Sequence, residues 1–240
     1  VRIFACVRTL NETRNIDRFC RSFAWADRIL LADGGSVDDT ILKARAYPNV
    51  EVREYPVRNT ARGVTWNPQG PMCQWLWDWA RDEGADWLVM DDCDSVPNTI
   101  LRKDLPGLIE GHAQTHDIMV AARVYQYGEG KLHFPRMSHA EKRSEWTLNA
   151  YFAWRADLSA VKFSDAPIHQ GLVPSPVAAR LRVLRIEPPY CLIHRFCLDE
   201  QDSERKRKVH DAGSNFKQEH IAPLLFGGPL EEMPEWATED

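Results

Sequence analysis

The sequence predicts an α/β fold, a mixed and mostly parallel central sheet with helices on both faces. Three observations carry this expectation. Short apolar runs alternate with segments of helical periodicity through the first half of the chain. Two of those runs end in acids, one at Asp33 and one at Asp91-Asp92-Cys93-Asp94. With 44% hydrophobic residues, a 240-residue chain has ample apolar surface for one large core.

In order along the chain, Val1 to Val7 reads as a buried strand. Asn11 to Phe23 follows as a helix, with Ile16, Phe19, Cys20 and Phe23 on one face. Arg28 to Ala32 is a second strand and ends in Asp33-Gly34-Gly35-Ser36. Asp38-Asp39 opens a helix to about Tyr47, its acids placed where a helix N-terminus is positive. Val50 to Tyr55 is a third strand, and Arg58 to Pro71 reads as a loop rich in Gly, Pro and Asn. Met72 to Glu83 packs Trp75, Trp77 and Trp79 into one helix, a composition that suits a core. The strand Trp87 to Met90 then leads into the acidic cluster.

The second half is less regular. Asp117 to Tyr125 and Lys131 to Phe134 read as strands around Gly128-Glu129-Gly130, and Asn149 to Arg155 as another. A loop with Pro167-Ile168-His169-Gln170-Gly171, a strand from Leu181 to Ile186 and a polar helix from Asp199 to His210 follow. From Gly213 on, recurring Pro and Gly predict a tail draped over the domain or partly mobile.

Composition narrows the function. A net charge of -5 gives the molecule no electrostatic footprint for nucleic acid. The local run Arg205-Lys206-Arg207-Lys208 reads as a solvated helix face. Cys6, Cys20, Cys73, Cys93, Cys191 and Cys197 form no paired framework, which favours reduced thiols and a cytoplasmic setting. Cys191-x2-His194-x2-Cys197 has the spacing of half a zinc site and lacks a second half. No stretch reaches the length of a membrane span, and the sequence starts directly in a strand without a signal-peptide pattern. Peripheral contact at the inner membrane face is the one membrane association left open.

The acidic cluster carries the chemistry. Asp92 and Asp94, one residue apart at the end of a buried strand, can converge on a divalent cation. Asp91 beside them adds a like charge that is costly unless a cation is present. Parallel sheets bind ligands at the carboxyl ends of their strands, where Asp33 and Asp92 both fall.

Three segments then stand together: Val7-Arg8-Thr9-Leu10-Asn11-Glu12, Leu31-Ala32-Asp33-Gly34-Gly35-Ser36-Val37-Asp38-Asp39-Thr40, and Asp92-Cys93-Asp94. Over residues 1 to 110 the chain resembles the nucleotide-sugar half of glycosyltransferase family 2 enzymes, which have the GT-A (Rossmann-like) fold. Trp25-Ala26-Asp27 at the end of the early helix is similar to the lipopolysaccharide-core members. The resemblance implies a single GT-A domain over residues 1–212, with 1–110 the nucleotide-sugar half, 111–212 the acceptor half and 213–240 a C-terminal tail. It implies a metal-dependent transfer of a sugar from a nucleotide-diphosphate donor, UDP-linked, to a glycan or lipid-linked hydroxyl acceptor, with Mn2+ or Mg2+ as cofactor.

The same resemblance assigns roles. Asp33 would accept from the nucleotide base, as an acceptor-only carboxylate suits, or else cap its turn. Thr9, Asn11, Glu12 and Gly34 would line the donor pocket, and Arg62, with Arg58, would face the donor phosphates. Asp92 would meet the ribose or the metal, Asp94 would ligate the metal, and His194 would be a third ligand. Where the family tends to carry His-Glu, this chain has His169-Gln170, and glutamine takes no proton. An inverting transfer needs a general base near the acceptor hydroxyl. Asp165 is preferred narrowly over His169; otherwise the reaction retains configuration and Gln170 positions the sugar.

Three alternatives remain. A nucleotidyltransferase would want a glycine-rich loop where this chain has Arg8-Thr9-Leu10-Asn11-Glu12. A catalytically dead sugar-nucleotide-binding module is kept in view by Gln170. A virus-type transferase acting on a modified DNA base would give Arg205 to Lys208 a role on phosphates.

Overall fold

The computed structural model describes residues 1–61, 64–128, 132–133, 148–158, 161–163, 181–202, 204–205, 208, 231–233, 235 and 237. The elements run β1 (Ile3–Thr9), α1 (Ile16–Ser22), β2 (Arg28–Asp33), α2 (Thr40–Ala44), β3 (Val50–Glu54), β4 (Asn59–Ala61), β5 (Val64–Trp66), α3 (Gln69–Asp82), β6 (Trp87–Asp92) and β7 (Ser95–Pro97). There follow α4 (Thr99–His112), β8 (Ile118–Tyr127), β9 (Leu132–His133), β10 (Leu148–Arg155), β11 (Val183–Cys197) and β12 (Glu231–Glu232). The main sheet has the order β12-β9-β8-β10-β6-β1-β2-β3, with β11 paired to β8 and β7, while β4 and β5 form a separate hairpin. Strands β3, β2, β1 and β6 are mutually parallel, and β10 enters antiparallel between β6 and β8.

Strand alternation sorts the core into two layers. Ile3, Ala5 and Val7 of β1, Ile29 and Leu31 of β2, and Trp87 and Val89 of β6 face α1, α2 and α4. Phe4, Cys6, Leu30, Ala32, Leu88 and Met90 face α3, where Met72, Leu76, Trp77 and Trp79 cover them. The three-layer α/β arrangement expected from the sequence is therefore present, and Trp77 and Trp79 are core residues. Cys6, Cys20, Cys73, Cys93 and Cys191 are free and buried. Among the described residues no helix is long and apolar enough to cross a membrane.

Several boundaries differ from the expectation, each for a local reason. Helix α1 starts at Ile16 rather than Asn11, because Asn11 takes a left-handed φ of 58° and the chain turns before it can wind. Helix α2 is confined to Thr40–Ala44. Part of the expected loop from Arg58 to Pro71 is the β4–β5 hairpin, and α3 begins at Gln69. Helix α4 has no counterpart in the sequence reading, since Pro106, Gly107 and Gly111 mask its pattern. Its apolar Leu101, Leu105 and Ile109 recur every four residues on the buried face. Asn98, fully buried, starts it by accepting from the Leu101 N–H (3.1 Å) while donating to the Pro189 carbonyl (2.8 Å). Strand β11 runs to Cys197 rather than ending at Ile186, with a register shift between Ile186 and Cys191.

Three features hold the sheet's periphery. In the Trp-Ala-Asp triplet, Asp27 accepts the Ile3 N–H (2.7 Å) and so fastens the end of the first β-α-β turn to the start of β1. At one edge β12 covers β9, and Ala237 packs with Val124 and Ile193. At the other edge β3 pairs with β2 and carries Glu51 and Arg53, which form ion pairs with each other and with Arg28 and Glu83.

Asp117, before β8, gathers the bottom of the sheet. It accepts from the Arg182 backbone and guanidinium (2.9, 3.0 and 2.6 Å) and from Arg155 (3.3 Å). The Arg182 hydrogen bonds, against some opposing burial, hold its carboxyl down at about 2. An unfolded aspartate titrates near 3.9, so the folded state binds its proton less readily. Its stabilisation is therefore complete above about pH 4 and is lost as pH falls toward 2. Asp117→Asn should lower stability at neutral pH and flatten the acid limb of a urea-denaturation pH profile; an unchanged limb would remove this role.

Candidate active site

Registry between parallel strands brings the expected donor residues to one sheet edge. Thr9 lies opposite Asp33 across β1 and β2, and Arg8 lies opposite Asp92 across β1 and β6. Strands two apart in a sheet are separated by about 10 Å, so Asp33 and Asp92 flank the end of β1. Alternation leans them to different faces: Asp33 continues the Ile29-Leu31 row toward α1, and Asp92 continues the Leu88-Met90 row toward α3.

Asp33 is committed to its own loop. Its Oδ2 accepts the N–H groups of Gly35 and Ser36 (2.9 Å each), and its Oδ1 accepts the Ser36 hydroxyl (2.6 Å) and, at 3.4 Å, that of Thr9. The capping role given to it as an alternative is thus the one the geometry displays. Asn11 ties the loop after β1 to the same turn, donating its N–H to Ser36 Oγ and accepting the Val37 N–H at Oδ1 (2.9 Å each). Glu12 donates its N–H to Thr40 Oγ1 (2.7 Å) and accepts from the Asn15 side chain (2.8 Å). At Gly34 an added Cβ would lie 1.8 Å from Asn67 Oδ1, so any larger residue there would push the Asn67 amide aside. Arg58 lies over Gly35 and pairs with Glu54.

The acidic cluster comes with its own cations. Asp91, buried and facing α1, accepts Arg123 Nη2 at both oxygens (2.7 Å each), the Ser95 hydroxyl (2.8 Å) and the Asp92 N–H (2.8 Å). Asp92 forms a close ion pair with Arg8. Burial works against the charge on Arg123, but Asp91 foremost, then Tyr125 and Asp92, raise its pKa above the ordinary value. The expectation that Asp91 is costly without a cation is met by the protein itself: arginine is that cation.

Asp94 follows one turn later. Its backbone carbonyl accepts from Arg18 Nη1 (2.9 Å) and from the Arg195 N–H (2.8 Å), and its Oδ1 lies 3.3 Å from His194 Nδ1. The pairing of β7 with β11 sets His194 against Ser95, which is why a residue a hundred positions away meets the cluster. The Tyr125 ring stands edge-on to His194 with centroids 5.2 Å apart. Cys93, between the two acids, points into the core, and burial pushes its thiol well above the ordinary range, so it is neither ligand nor nucleophile. Arg205 hydrogen-bonds Asp202 (2.9 Å) and approaches Glu12, while Lys208 pairs with Glu204 (2.9 Å), so both described members of the basic run are ion-paired.

The donor set of Asp92, Asp94 and His194 suits Mn2+ or Mg2+: hard carboxylate oxygens with one imidazole. Among the described residues no three His, Cys, Asp or Glu side chains stand close enough together to hold one metal ion. A cation here would take its remaining positions from phosphate oxygens and water, as such ions commonly do. Arg62, Asp165, His169 and Gln170 lie outside the described residues.

No protein-family model and no curated protein matches the sequence. Solved structures do match. TarS of S. aureus superposes with a TM-score of 0.56 at 16% identity, covering 94% of this chain and 42% of TarS. Its 1–349 fragment in complex with UDP-GlcNAc gives 0.52 at 15%, covering 94% and 70%. A mycobacterial protein gives 0.50 at 16%, covering 80% and 67%. The chain has the GT-A fold. It spans well under half the length of TarS. Within this GT-A sheet, the residues that sequence reasoning missed are Arg8 and Arg123. The available signal was a lone charged residue, an arginine, in each of two mostly apolar strands, since a buried charge demands a partner.

Asp91→Asn would leave Arg123 buried beside a neutral amide. It should cost about 3 kcal/mol in urea denaturation. A loss below about 0.5 kcal/mol would show that the pair does not hold β8 to β6.

Proposed function

We propose that the chain is a metal-dependent glycosyltransferase that takes its sugar from a nucleoside-diphosphate donor, UDP-linked, and passes it to a hydroxyl acceptor on a glycan or lipopolysaccharide core. The observation that supports this is a common sheet edge: Thr9 opposite Asp33 and Arg8 opposite Asp92 stand at the carboxyl ends of parallel strands, and Asp94, just past the end of β6, lies beside His194. The TarS fragment of the same fold, crystallised with UDP-GlcNAc, supports the choice of donor.

In this reading the loops fastened by Asp33 and Asn11 form the nucleotide pocket, with Thr9, Glu12 and Gly34 in its wall. Asp33 contributes to base recognition chiefly by holding that turn open, because its oxygens are largely engaged. Asp92, Asp94 and His194 hold the cation, and Arg62 with Arg58 adds positive charge near the phosphates. A divalent cation supplies charge neutralisation on the departing diphosphate. Asp165 takes the acceptor's proton, with His169 the next candidate and Gln170 orienting the sugar. Residues 1–212 are the catalytic unit, 213–240 an appended tail, and the setting is cytoplasmic with peripheral membrane contact where the acceptor is lipid-linked.

A thermal-shift panel of nucleotide sugars with and without Mn2+ tests the donor. A UDP-sugar should raise Tm by several degrees in Mn2+ and less without it; no shift with any nucleotide sugar would end the reading. Asp94→Ala should abolish Mn2+-dependent UDP release while leaving apo Tm within a few degrees, and undiminished release would remove the metal role. Asp165→Asn should stop transfer while sparing the donor-induced shift, whereas full activity would pass the base role to His169 or to a retaining reaction.

A further inference from the structure

The two arginines at the acidic cluster are held very differently. Arg123 Nη2 spans both oxygens of an aspartate that is 2% exposed and that also accepts Ser95 and a backbone N–H, so this carboxylate is fully engaged, although the Arg123 Nε, like that of Arg8, is buried without a hydrogen bond among the described residues. Arg8 meets Asp92 through a single Nη2 to Oδ1 contact at the rim, where the Asp92 side chain is 38% exposed. The Arg8 Nε is buried and makes no hydrogen bond among the described residues, so its planar fork has donors to spare. That fork matches phosphate oxygens in bidentate fashion. The carboxylate opposite is one of the two that the sequence offers to a cation.

We infer that Arg8 is a built-in counter-cation: it occupies Asp92 until a diphosphate takes the guanidinium, and only then does Asp92 become available to a divalent ion. This rests on the site being one for a nucleoside diphosphate and its cation, and it adds how the two are coupled. Two cations compete for one carboxylate, so a divalent ion alone is held weakly. A diphosphate alone must pull Arg8 from Asp92. Together each removes the other's cost, which makes their binding mutually reinforcing. No proton or covalent bond changes hands; the exchange is one ion pair for two.

Mn2+ alone, titrated into the full chain and followed by the free-ion electron paramagnetic resonance signal, reads the competition directly. Arg8→Met should bind Mn2+ about tenfold more tightly than the wild type, on the scale by which neighbouring groups move metal affinity. UDP measured calorimetrically with a chelator present should bind that variant more weakly. Asp92→Asn should do the reverse, with tighter chelated UDP and weaker Mn2+, and it carries the test if Arg8→Met does not fold. Equal or weaker Mn2+ binding by Arg8→Met, or unchanged UDP binding by Asp92→Asn, overturns the inference and makes Arg8 a structural residue. Wild-type protein that binds neither UDP nor a UDP-sugar in Mn2+ overturns the function itself, a result distinct from an insensitive Arg8.

Discussion

Consecutive residues on a strand face opposite sides of the sheet, and on β6 two of them are aspartates. Each must be neutralised on its own side. The fold answers with Arg123 on the face of α1 and Arg8 on the face of α3, drawn from the strands that lie beside or beyond β6 in the sheet. A slip of one residue in β1 or β8 would turn its arginine to the wrong layer, so charge pairing and the apolar pattern favour the same register. The edge where ligands are expected is thus organised by charge pairing within the sheet before any ligand arrives.

The loops above the edge are fixed by short polar side chains rather than by apolar packing. Asp33 gathers the turn after β2, Asn11 joins it to the loop after β1, and Asn67 presses on Gly34 from the segment before α3. None of these bonds costs a long side chain its rotamer freedom. A pocket wall built this way is ordered in advance, which lowers the entropic cost of binding a small polar ligand.

Much of this was legible in the sequence. The apolar runs of β1, β2 and β6, and the role of the acids that end β2 and β6, follow from two-sided burial and from the rule placing ligands at carboxyl ends. What was hidden depends on contacts remote in the chain. Helix α4 was obscured by Pro106 and two glycines, although Leu101, Leu105 and Ile109 mark its buried face. The early start expected for α1 failed at Asn11, whose side chain accepts a hydrogen bond from Val37 in a loop twenty-six residues away. The cations for Asp91 and Asp92 come from β8 and β1, and pattern reading along a single segment cannot pair residues across strands.

The two borders of the sheet are finished differently. One is sealed by a strand from near the end of the chain. The other, β3, presents alternating acidic and basic side chains that are bound into a lattice with Arg28 and Glu83. An open border with satisfied charges offers a poor template for a further strand, because a newcomer would have to strip those pairs of water and of one another. The molecule therefore discourages stacking into fibres along β3.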